Sequence, residues 1–596
     1  MRSYVVSDLK RFHPGLKSFC KNISSNMQDR FYIAASLREI GRLLALKGEN
    51  PFKAQAYERG ARALENLEGD LDALVKTRRL TDVRGIGSAL ASVIEEIHTT
   101  GECWALGQLR NELPPGAIEL SAVPGLNLKK IIALHDALRV ESVADLKTAC
   151  AEGLVRKVKG FGQKTEAKIL AAVESIEQRE ERILLNHASE EAERLLRHLR
   201  AAPEVLSADL AGSLRRRKET VRRISIVVGS DRPKAVINQF LRFPAILRSE
   251  ECEPDHWVAL LAGGLYADLH VASPSDYVSS LHHWTGSQSH LARLGELARS
   301  KGLSIGPYGL NEKTGEEIQV ADEEEIYQGL NIQYVPPELR EDEGEIEAAA
   351  AGTLPNPLTL ADIQGMTHCH TIYSDGQNSI EEMALAAQAM GMKYLTITDH
   401  SPSAFYARGV NIDRLLAQWD EIARVQEKVK IKLLKGTESD ISADGSLDYP
   451  DSVLDRFDII IASIHARHKM DSDQMTRRLL RALKLPWFKV WGHPLGRLIQ
   501  SRPPFDCRME EVLDVVAESR AAIEINGDPH RLDLEPRWIR QARQRGIKFI
   551  VSTDAHSTRG LGNLQYGVAM ARRGWLARED VLNTLSAEEF MKAVHP

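Results

Sequence analysis

The chain has 596 residues, of which 43% are hydrophobic and 27% are charged, and its formal net charge is −6 at pH 7. At roughly 100–200 residues per domain, this length predicts a globular chain of three to five units. The small net charge neither requires nor excludes a nucleic-acid partner, because a basic face can coexist with an acidic domain. No apolar run approaches the ~20 residues of a membrane span, so we expect no membrane partner.

Residues 1–26 are polar and aperiodic, and helical periodicity begins only after Met27. They are either an amino-terminal extension or a segment upstream of the true start, and they lack the apolar stretch of a secretory signal peptide. The six cysteines form no C-x-x-C pair. We therefore expect neither a disulfide framework nor a zinc ribbon, and a cytoplasmic location fits best.

Residues 32–180 have apolar positions at three- and four-residue spacing, which predicts helices. Three pieces share one shape: VRGIGSALASVI (83–94), VPGLNLKKIIAL (123–134) and VKGFGQKTEAKIL (158–170). Each places a glycine turn before a helix start, where exposed backbone N–H groups suit a phosphate. The candidate DNA-binding residues here are Gly85, Gly87, Gly125, Gly160, Gly162 and Lys164.

The middle copy has Asn127 where the others have their second glycine, and we expect it to adopt the positive φ that Asn tolerates. Ordinary corners between helices would explain one such turn. Three copies favour helix-hairpin-helix grips on a DNA backbone, which contact phosphate and carry no sequence information.

The stretch AGSLRRRKETVRRISIVVGS (211–230) joins a Gly-Ser-arginine sequence, typical of a phosphate cradle, to an apolar strand. Arg223 and Ser225 lie two apart on that strand and share one face, where a nucleotide-transfer site needs acidic metal ligands. The basic run 215–223 has two interpretations. It retains phosphate affinity without catalysis, or it is a solvated charged loop.

Six pieces resemble, in order, the bacterial X-family DNA polymerases. They are NPFKAQAYERGARALENL (50–67), GSLRR (212–216), ADLHV (267–271), WTGS (284–287), YGL (308–310) and YVPPELREDEGEIEAA (334–349). The resemblance implies α-helical helix-hairpin-helix domains followed by an α+β nucleotidyltransferase palm and a thumb. It also implies that Ser213, Arg215 and Arg216 contact a nucleotide or DNA, and that three aspartates hold two Mg²⁺ ions.

The first palm strand departs from this family, which has Gly-Asp-Ile-Asp where this chain has residues 222–225. Asp268 is the one palm carboxylate that remains. Two-metal catalysis clamps the reacting oxygens between ions about 3.5–4 Å apart. We therefore expect no Mg²⁺ in the palm and no polymerase activity, and neither Glu219 nor Asp231 has the register to substitute.

Two further departures agree. Where the family continues TGS with His-Asn and a later Arg, this chain has His290-Leu291 and Gly295. Val93 stands where related repair enzymes have a Schiff-base lysine, which argues against deoxyribose-phosphate lyase activity.

Residues 339–365 turn acidic, then Ala-rich, then proline-bearing, as a linker does. Beyond it, five short apolar runs alternate with helical segments: 393–400, 457–465, 488–494, 521–529 and 547–556. This alternation predicts a parallel α/β barrel, whose active sites assemble at the carboxyl ends of the strands.

Nine candidate catalytic metal ligands lie in this part of the chain: His368, His370, Asp375, His400, Glu438, His465, His493, Asp554 and His556. One strand-terminal His is usually structural, but nine such residues at successive strand ends predict a metal cluster. His-x-His and Asp-x-His place both ligands on one side of a strand. The mixture of imidazole and carboxylate suits Mn²⁺, Zn²⁺ or Fe²⁺ better than Mg²⁺ alone.

Seven motifs resemble the PHP phosphoesterase domain that bacterial X-family polymerases carry: GMTHCHTIYSDG (365–376), ITDHS (397–401), GTESDISADGSLDY (436–449), ASIHA (462–466), WGHP (491–494), EINGDPHRLDL (524–534) and TDAHS (553–557). The resemblance implies a three-metal cluster, with Mn²⁺, that removes nucleotides from DNA 3′ ends. It implies three ligand sets: His368, His370, Glu438 and Asp554; Glu438, His465 and His493; Asp375, His400 and His556. Arg531 is a weaker candidate for contacting a substrate phosphate.

The predicted layout is an extension at 1–26, an amino-terminal helical domain with a helix-hairpin-helix at 27–105, fingers with helix-hairpin-helix repeats at 106–180, a degenerate palm at 181–275, a thumb at 276–345, a linker at 346–362 and a PHP domain at 363–596. We expect a monomeric DNA repair enzyme, of the base excision type, with an intact 3′-5′ exonuclease and no polymerase activity. Its expected partner is DNA with gaps, nicks or recessed 3′ ends. Two alternatives stay open: a working gap-filling polymerase with the exonuclease, and a small-molecule phosphatase with a scaffold front half.

Overall fold

The structure is a computed structural model that describes residues 30–65, 67, 71–101, 103–114, 116–121, 123, 125–178, 182–261, 264–312, 317–519 and 521–594. The chain divides into two compact units, Met1–Glu180 and Glu181–Pro596. The predicted extension at 1–26 lies outside the described residues. Among the helices in those ranges, none has both the length and the hydropathy that crossing a bilayer requires.

The first unit is built from helices, as predicted. They are α1 (Arg30–Lys47), α2 (Pro51–Glu65), α3 (Leu71–Lys76), α4 (Ser88–Thr100), α5 (Trp104–Glu112), α6 (Ala117–Ser121), α7 (Leu128–Leu138), α8 (Val143–Ala151) and α9 (Gln163–Gln178), with short 3₁₀ turns at Leu80–Asp82 and Val155–Lys157. Apolar stripes at helical spacing face inward. In α4, for example, Leu90, Ile94 and Ile97 are buried.

The three glycine turns share one backbone geometry. In each, the buried apolar residue after the first glycine donates its N–H to the carbonyl three residues earlier: Ile86 to Val83 at 3.0 Å, Leu126 to Val123 at 3.1 Å and Phe161 to Val158 at 3.0 Å. The first glycines, Gly85, Gly125 and Gly160, have φ of +98°, +90° and +94°. Other residues rarely adopt this region, so the turn requires glycine at that place.

The expectation for Asn127 was wrong. Its φ is −117°, and its side chain accepts a hydrogen bond from the Lys130 amide at 3.1 Å, so it is the N-cap of α7. Gly87 is the corresponding N-cap of α4, with φ of −87°. Positive φ is therefore needed only at the first position of each turn, and the second position starts the helix.

The second unit begins with an α+β palm. Its elements are β1 (Ile183–Leu184), α10 (Leu185–Arg200), β2 (Ser207–Ala211), α11 (Gly212–Arg215), β3 (Thr220–Val221), β4 (Arg223–Gly229), α12 (Pro233–Leu241), β5 (Ile246–Glu253), β6 (His256–Leu261) and β7 (Tyr266–Ala272). The five-stranded sheet has the order β2-β4-β7-β6-β5. The parallel pairing of β4 with β7 places Ser225 opposite Asp268 and Arg223 opposite Tyr266.

The thumb follows. It contains α13 (Tyr277–Thr285), α14 (Gln288–Ser300), β8 (Leu303–Gly306), β9 (Gly309–Glu312), β10 (Glu317–Ile318), α15 (Glu323–Gly329) and α16 (Glu345–Ala351), with a 3₁₀ turn at Pro337–Leu339. A buried hydrogen bond and a buried ion pair lie in its core. His290 Nδ1 lies 2.6 Å from Glu345 Oε1, and an Arg340 Nη lies 2.7 Å from Glu323 Oε1 to form the ion pair. His290 is thus an internal residue of the thumb.

The rest of the chain forms the predicted α/β barrel. Its strands are β11 (Gly365–Cys369), β12 (Tyr394–Ile397), β13 (Lys432–Asp440), β14 (Ile459–Ser463), β15 (Val490–Trp491), β16 (Ala522–Asn526) and β17 (Phe549–Ser552). Its helices are α17 (Ile380–Ala389), α18 (Ile412–Gln426), α19 (Asp451–Leu454), α20 (Ser472–Ala482), α21 (Met509–Ser519), α22 (Pro536–Gln544), α23 (Leu564–Arg573) and α24 (Ala587–Val594). Short 3₁₀ turns lie at Leu360–Asp362, Phe405–Ala407, Arg559–Asn563, Arg578–Asp580 and Leu582–Thr584.

All seven strands are parallel, and each pairs with the next in chain order. The first and last strand segments also meet, because the His370 amide donates to the Ala555 carbonyl at 2.8 Å and the Ala555 amide donates to the His368 carbonyl at 3.1 Å. This contact nearly closes the barrel. It also brings the carboxyl ends of all the strands to one mouth.

The first six residues of the predicted linker at 346–362 belong to α16 of the thumb, and its later part packs against the barrel. Leu358 is fully buried, and its amide donates to the Leu576 carbonyl at 2.9 Å. Arg572 pairs with Glu338 of the thumb at 2.8 Å. Palm, thumb and barrel therefore form one compact unit, and the boundaries proposed between them stay a prediction.

A candidate metal centre at the mouth of the barrel

The nine predicted ligands converge at the carboxyl ends of the barrel strands. His368 and Glu438 lie within β11 and β13, and the others lie in the segments that follow β11, β12, β14, β15 and β17: His370, Asp375, His400, His465, His493, Asp554 and His556. Seven of the nine are buried or nearly so. Adjacent parallel strands thus bring together residues as far apart in the chain as His368 and His556.

Glu438 is the hub of this arrangement, and five imidazoles surround its buried carboxylate. Its Oε1 lies 2.8 Å from His493 Nε2 and 3.2 Å from His465 Nε2, and its Oε2 lies 2.8 Å from His400 Nδ1, 3.4 Å from His368 Nε2 and 3.7 Å from His370 Nε2. Burial opposes ionisation of Glu438, but the surrounding histidines outweigh it and hold its pKa well below the usual range. The carboxylate is therefore ionised at neutral pH.

Two more carboxylates line the same space. Asp375 Oδ1 lies 3.3 Å from His556 Nε2 and 3.6 Å from His400 Nε2. Asp554 Oδ1 lies 3.2 Å from His370 Nε2. Three acids and six imidazoles therefore face one another across a few ångströms.

Three groups of these side chains each offer ligand atoms within 4.8 Å of one another: His370, Asp375, His400 and His556; His368, His370 and Glu438; His400, Glu438 and His465. They do not coincide with the three sets that the resemblance implies. His370, His400 and Glu438 each belong to two groups. The assignment of each ligand to one ion stays a prediction.

The residues present fit bound cations. Eight atoms of the predicted ligands are buried without a hydrogen-bond partner among the described residues: His368 Nε2, His370 Nδ1 and Nε2, Asp375 Oδ1, His400 Nδ1, Glu438 Oε2, His465 Nε2 and His493 Nδ1. Buried polar atoms normally have partners, and several lone pairs converging on one space is the arrangement that a metal ion satisfies. Nitrogen and carboxylate donors in this mixture suit divalent transition metals.

Three buried acids that the sequence did not single out hold the ligands in place. Glu524 accepts hydrogen bonds from His368 Nδ1 and from the His493 amide. Asp440 lies 3.1 Å from His465 Nδ1, and Asp399 accepts from the Ser374 amide at 3.1 Å in the loop that carries Asp375.

Such partners fix the orientation of metal-binding side chains. Asp399 is adjacent in sequence to His400, and Asp440 lies two residues from Glu438. That spacing could have identified both acids. Glu524 lies within one of the motifs, but no spacing signal marks it.

The backbone at three predicted ligands is strained. His368, His493 and Asp554 have φ of +56°, +22° and +49°, a region that residues with a Cβ rarely adopt. Each such residue costs roughly 1–3 kcal/mol and persists where the surrounding structure enforces it. The barrel therefore stabilises an unfavourable backbone in order to aim these side chains inward.

The histidines of the centre differ in basicity. Burial, together with the neighbouring rings of His556 and His400, lowers the pKa of His370 to about 3. For His465 burial also opposes protonation, but the carboxylates of Glu438 and Asp440 outweigh it and raise its pKa to about 9. The acid-rich side of the centre therefore attracts positive charge, which is the electrostatic requirement of a cation site.

Arg531 lies beside the centre. Its Nε is 3.1 Å from Asp554 Oδ2, while one of its terminal nitrogens is buried without a hydrogen-bond partner among the described residues. A guanidinium with an unused donor next to metal ligands suits an anionic oxygen of a substrate.

The palm strand β4 presents an ion pair where the resemblance to X-family polymerases implies metal ligands. Arg223 donates to Asp268 Oδ1 at 2.9 Å, and its guanidinium lies 5.5 Å from the centre of the Tyr266 ring. Burial raises the pKa of Asp268, although Arg223 opposes the shift. Asp268 is thus paired with a cation of its own chain.

The arginines of the predicted phosphate cradle form ion pairs with carboxylates of the thumb. Arg215 donates to Glu323 at 2.6 Å, and Arg216 donates to Glu341 at 2.8 Å. Ser213 lies half-buried in α11. These two arginines therefore do not belong to a solvated loop, and phosphate binding by the cradle stays a prediction.

The glycine turns of the first unit leave their backbone open. Gly85, Gly87, Gly125, Gly160, Gly162 and Lys164 are all exposed. A Cβ added at Gly87, Gly125, Gly160 or Gly162 would meet no atom of the described chain within 4 Å. Helix-start amides at such places are accessible to a phosphate.

Four family models match this chain. They are a helix-hairpin-helix domain at residues 30–103, a SAM-like helix-hairpin-helix tandem at 117–175, a DNA polymerase beta thumb at 280–341 and a PHP domain at 367–528. Together they cover parts of the helical unit, the thumb and the barrel.

The chain is 34% identical over 564 residues to the DNA polymerase/3′-5′ exonuclease PolX of Bacillus subtilis (strain 168), a match that covers 93% of this chain and 98% of that protein. It is 29% identical over 230 residues to a "probable phosphatase" of Thermoanaerobacter sp. (strain X514), covering 37% of this chain and 89% of the relative. A "probable phosphatase" of Caldicellulosiruptor bescii is 30% identical over 216 residues, covering 33% and 82%.

Proposed function

We propose that the barrel hydrolyses phosphodiester bonds at the 3′ ends of DNA, because this chain belongs to the X-family DNA polymerases that carry a carboxyl-terminal PHP domain. The observation that carries this proposal is the convergence of three acids and six histidines on one buried space. The relative that matches nearly the whole chain is named for a 3′-5′ exonuclease.

We assign the nine convergent residues as ligands of a cluster of up to three divalent ions, Mn²⁺ first and Zn²⁺ or Fe²⁺ as alternatives. Such ions would supply a hydroxide at neutral pH and neutralise the charge of the departing oxygen. Glu438 would contribute to more than one site, because both of its oxygens face imidazoles.

The chain's own residues prepare this site in two ways. Glu524 and Asp440 hold His368 and His465 in fixed orientations, so that their free Nε2 atoms point into the centre. Arg531 offers its unused donor to a phosphoryl oxygen of the substrate. Binding and orientation of the phosphodiester therefore rest on a rigid protein frame.

We further propose that the palm has lost polymerase activity. Arg223 brings a positive charge to the face where two carboxylates are required, and it pairs with the remaining Asp268. Ser225, opposite Asp268 on the neighbouring strand, supplies only a hydroxyl. A pair of Mg²⁺ ions needs several carboxylate oxygens, so we expect none to be held here. Glu219, considered as a displaced acid, is instead 2.9 Å from Arg497.

The helical unit and the thumb, which precede the barrel in the chain, would then bind the DNA that the barrel hydrolyses. Their helix-hairpin-helix and thumb matches imply a DNA partner. We propose gapped, nicked or recessed 3′ ends as the substrate, a repair role of the base excision type and a monomeric protein. The alternative is a phosphatase for a small phosphomonoester, which the matches of the barrel to "probable phosphatase" relatives favour.

One experiment separates these possibilities. The full chain is incubated with an end-labelled primer-template, Mn²⁺ and all four dNTPs, alongside His370→Ala and Asp554→Ala variants. We expect shortening from the 3′ end, a loss of orders of magnitude in both variants because ligands of a shared cluster act as a unit, and no extension. Full activity in either variant would refute the metal centre, and extension would refute the loss of polymerase activity. Turnover of small phosphomonoesters with intact DNA would favour the phosphatase.

A further inference from the structure

Two aromatic rings stand exposed at the edge of the candidate metal centre. The 3₁₀ turn Phe405–Ala407 lies between β12 and α18 and begins five residues after His400. Phe405 is 87% exposed and Tyr406 is 68% exposed, so neither ring contributes to the core. Large aromatic side chains usually bury most of their surface, and a solvated pair beside a catalytic mouth indicates contact with a ligand.

The turn that carries these rings is firmly anchored. Ala404 and Ala407 are buried, and the Val410 amide donates to the His400 carbonyl at 2.8 Å, which closes the loop at its base. A Cβ at Gly409 would lie 2.0 Å from the Ser401 carbonyl oxygen, so the two ends of the loop are in close contact. The backbone that carries the two exposed rings is therefore held in place at both ends of the loop.

Tyr406 lies directly against the predicted ligands. Its ring centre is 5.9 Å from that of His400 and 6.1 Å from that of His465. The ring of Tyr406 thus lies beside the predicted ligands while it stays accessible from outside.

The surroundings of Tyr406 are suited to a phosphate neighbour. Arg531, with its unused donor, acts electrostatically on Tyr406, and so does Arg502. Arg502 is itself held by a hydrogen bond from Nε to the Gly496 carbonyl at 2.8 Å. Two guanidinium groups and an accessible aromatic face therefore border the same metal centre.

We infer that Tyr406 stacks on the base of the 3′-terminal nucleotide and thereby holds the strand end at the mouth of the barrel; this inference rests on the proposed phosphodiester hydrolysis at the same site. A phosphodiester above the metal ligands, near Arg531, would place an attached base over the neighbouring ring. Base–aromatic stacking accepts every base, because each base has a π-face.

A base inside a duplex has both faces covered by its neighbours. The 3′-terminal base has no neighbour of its own strand beyond it, so it can offer that face to Tyr406. Adjacent residues of a 3₁₀ turn diverge by about a third of a turn, so Phe405 cannot share that base and would meet the next one. Stacking on Tyr406 therefore holds the 3′-terminal nucleotide irrespective of its base.

A double-mutant cycle, in which the Tyr406 ring and the 3′-terminal base are removed separately and together, tests this inference. The full chain with Mn²⁺ is given two single-stranded oligonucleotides that differ only in having a base or an abasic residue at the 3′ end. For the wild type, we expect kcat/KM to fall about 10- to 100-fold without the base, the range that stacking one base supplies. Tyr406→Ala should lose the same factor on the normal oligonucleotide and nothing more on the abasic one. Tyr406→Phe should behave as the wild type, because it keeps the ring.

Controls separate stacking from damage to the fold. Leu385→Ala, which truncates an exposed apolar side chain on α17, should leave both rates unchanged. Metal content and melting temperature of Tyr406→Ala should match the wild type. If they do not, Tyr406→Leu, which keeps apolar bulk without a flat face, takes its place in the cycle. Equal losses on both oligonucleotides, or no loss on either, would overturn the inference.

A binding measurement keeps this test independent of the proposed hydrolysis. If the wild type shortened neither oligonucleotide, the proposed function would fail, and stacking would be judged with 2-aminopurine at the 3′ end. Quenching of its fluorescence by the wild type but not by the Tyr406 variant would support the inference. Equal quenching by both proteins would overturn it.

Discussion

Glu219 of the palm stabilises the barrel through Arg497, and its replacement by Gln should lower the free energy of unfolding. The Glu219 carboxylate lies 2.9 Å from an Arg497 terminal nitrogen and 3.9 Å from Arg573. Arg497 side-chain exposure is 10%, and Glu219 side-chain exposure is 24%. Arg497 also donates to the Arg531 carbonyl at 2.9 Å, so the pair connects the palm to the loop that carries the proposed phosphate ligand.

The expected magnitude follows from this burial. Breaking a fully buried ion pair costs about 3–5 kcal/mol, whereas an exposed pair contributes about 0–1 kcal/mol. Glu219 keeps a quarter of its exposure, and Arg497 retains a second partner, Glu535, at 3.2 Å. We therefore expect Glu219→Gln to destabilise the protein by about 1–2 kcal/mol, between the two limits.

The assay is urea unfolding of the full chain at pH 7.5, with Glu190→Gln as the matched control. Glu190 pairs with Arg559 at 3.3 Å, and both side chains are about a third or more exposed, at 34% and 47%. The control should change stability by less than about 1 kcal/mol, since its pair is solvated. Equal unfolding midpoints for the two variants would refute the view that the palm stabilises the barrel.

The same pair should show a defined pH dependence. Burial opposes ionisation of Glu219, but Arg497 and Arg573 outweigh it and lower its pKa. A carboxyl group with a lowered folded-state pKa contributes stability that is present above its unfolded-state pKa and is lost as pH falls through the folded-state value. The difference between wild type and Glu219→Gln should therefore shrink in acid.

Three further predictions test other parts of the molecule. Burial opposes ionisation of Glu323, but Arg340 outweighs it and lowers the pKa of Glu323 to about 2. The loss of unfolding free energy caused by Glu323→Gln at pH 7 should therefore diminish between pH 4.5 and 2, as measured by urea titration. Glu524→Gln should weaken Mn²⁺ binding about 10- to 100-fold by electron paramagnetic resonance titration, because it orients a predicted ligand; unchanged affinity would contradict that role. Gly85→Ala should lower the melting temperature, because φ at Gly85 is +98°. Gly87→Ala should leave the melting temperature unchanged, because a Cβ there meets no atom of the described chain within 4 Å, and it should weaken the binding of duplex DNA at low salt.

The family and the nine predicted ligands could be read from the sequence because each motif is local. His-x-His and Asp-x-His motifs at strand ends are short patterns, and the alternation of apolar runs with helical segments predicts a parallel barrel by itself. The loss of palm carboxylates is equally local, since Arg223 and Ser225 stand where the resemblance requires acids.

Two of the seven barrel strands were not among the predicted apolar runs. Gly365–Cys369 and Lys432–Asp440 contain polar or charged residues, including His368 and Glu438, because they carry the candidate site. Hydrophobic pattern marks strands that serve only the core, and it weakens where a strand also supplies functional side chains. The positive φ expected for Asn127 failed for a related reason, since N-cap residues adopt extended backbone.

Long-range pairing decided the rest. The basic run after Gly212 was compatible with a phosphate cradle or a solvated loop, and only the folded chain brings Glu323 and Glu341 to Arg215 and Arg216. Likewise, Glu524 becomes a partner of His368 only when strands separated by more than a hundred residues join one barrel. Residue types and local spacing are properties of the sequence, and they determined which chemistry this chain carries. Which charges meet, and which stay unpaired at the mouth, depends on tertiary packing, because contact energies between distant residues exist only after the chain has folded.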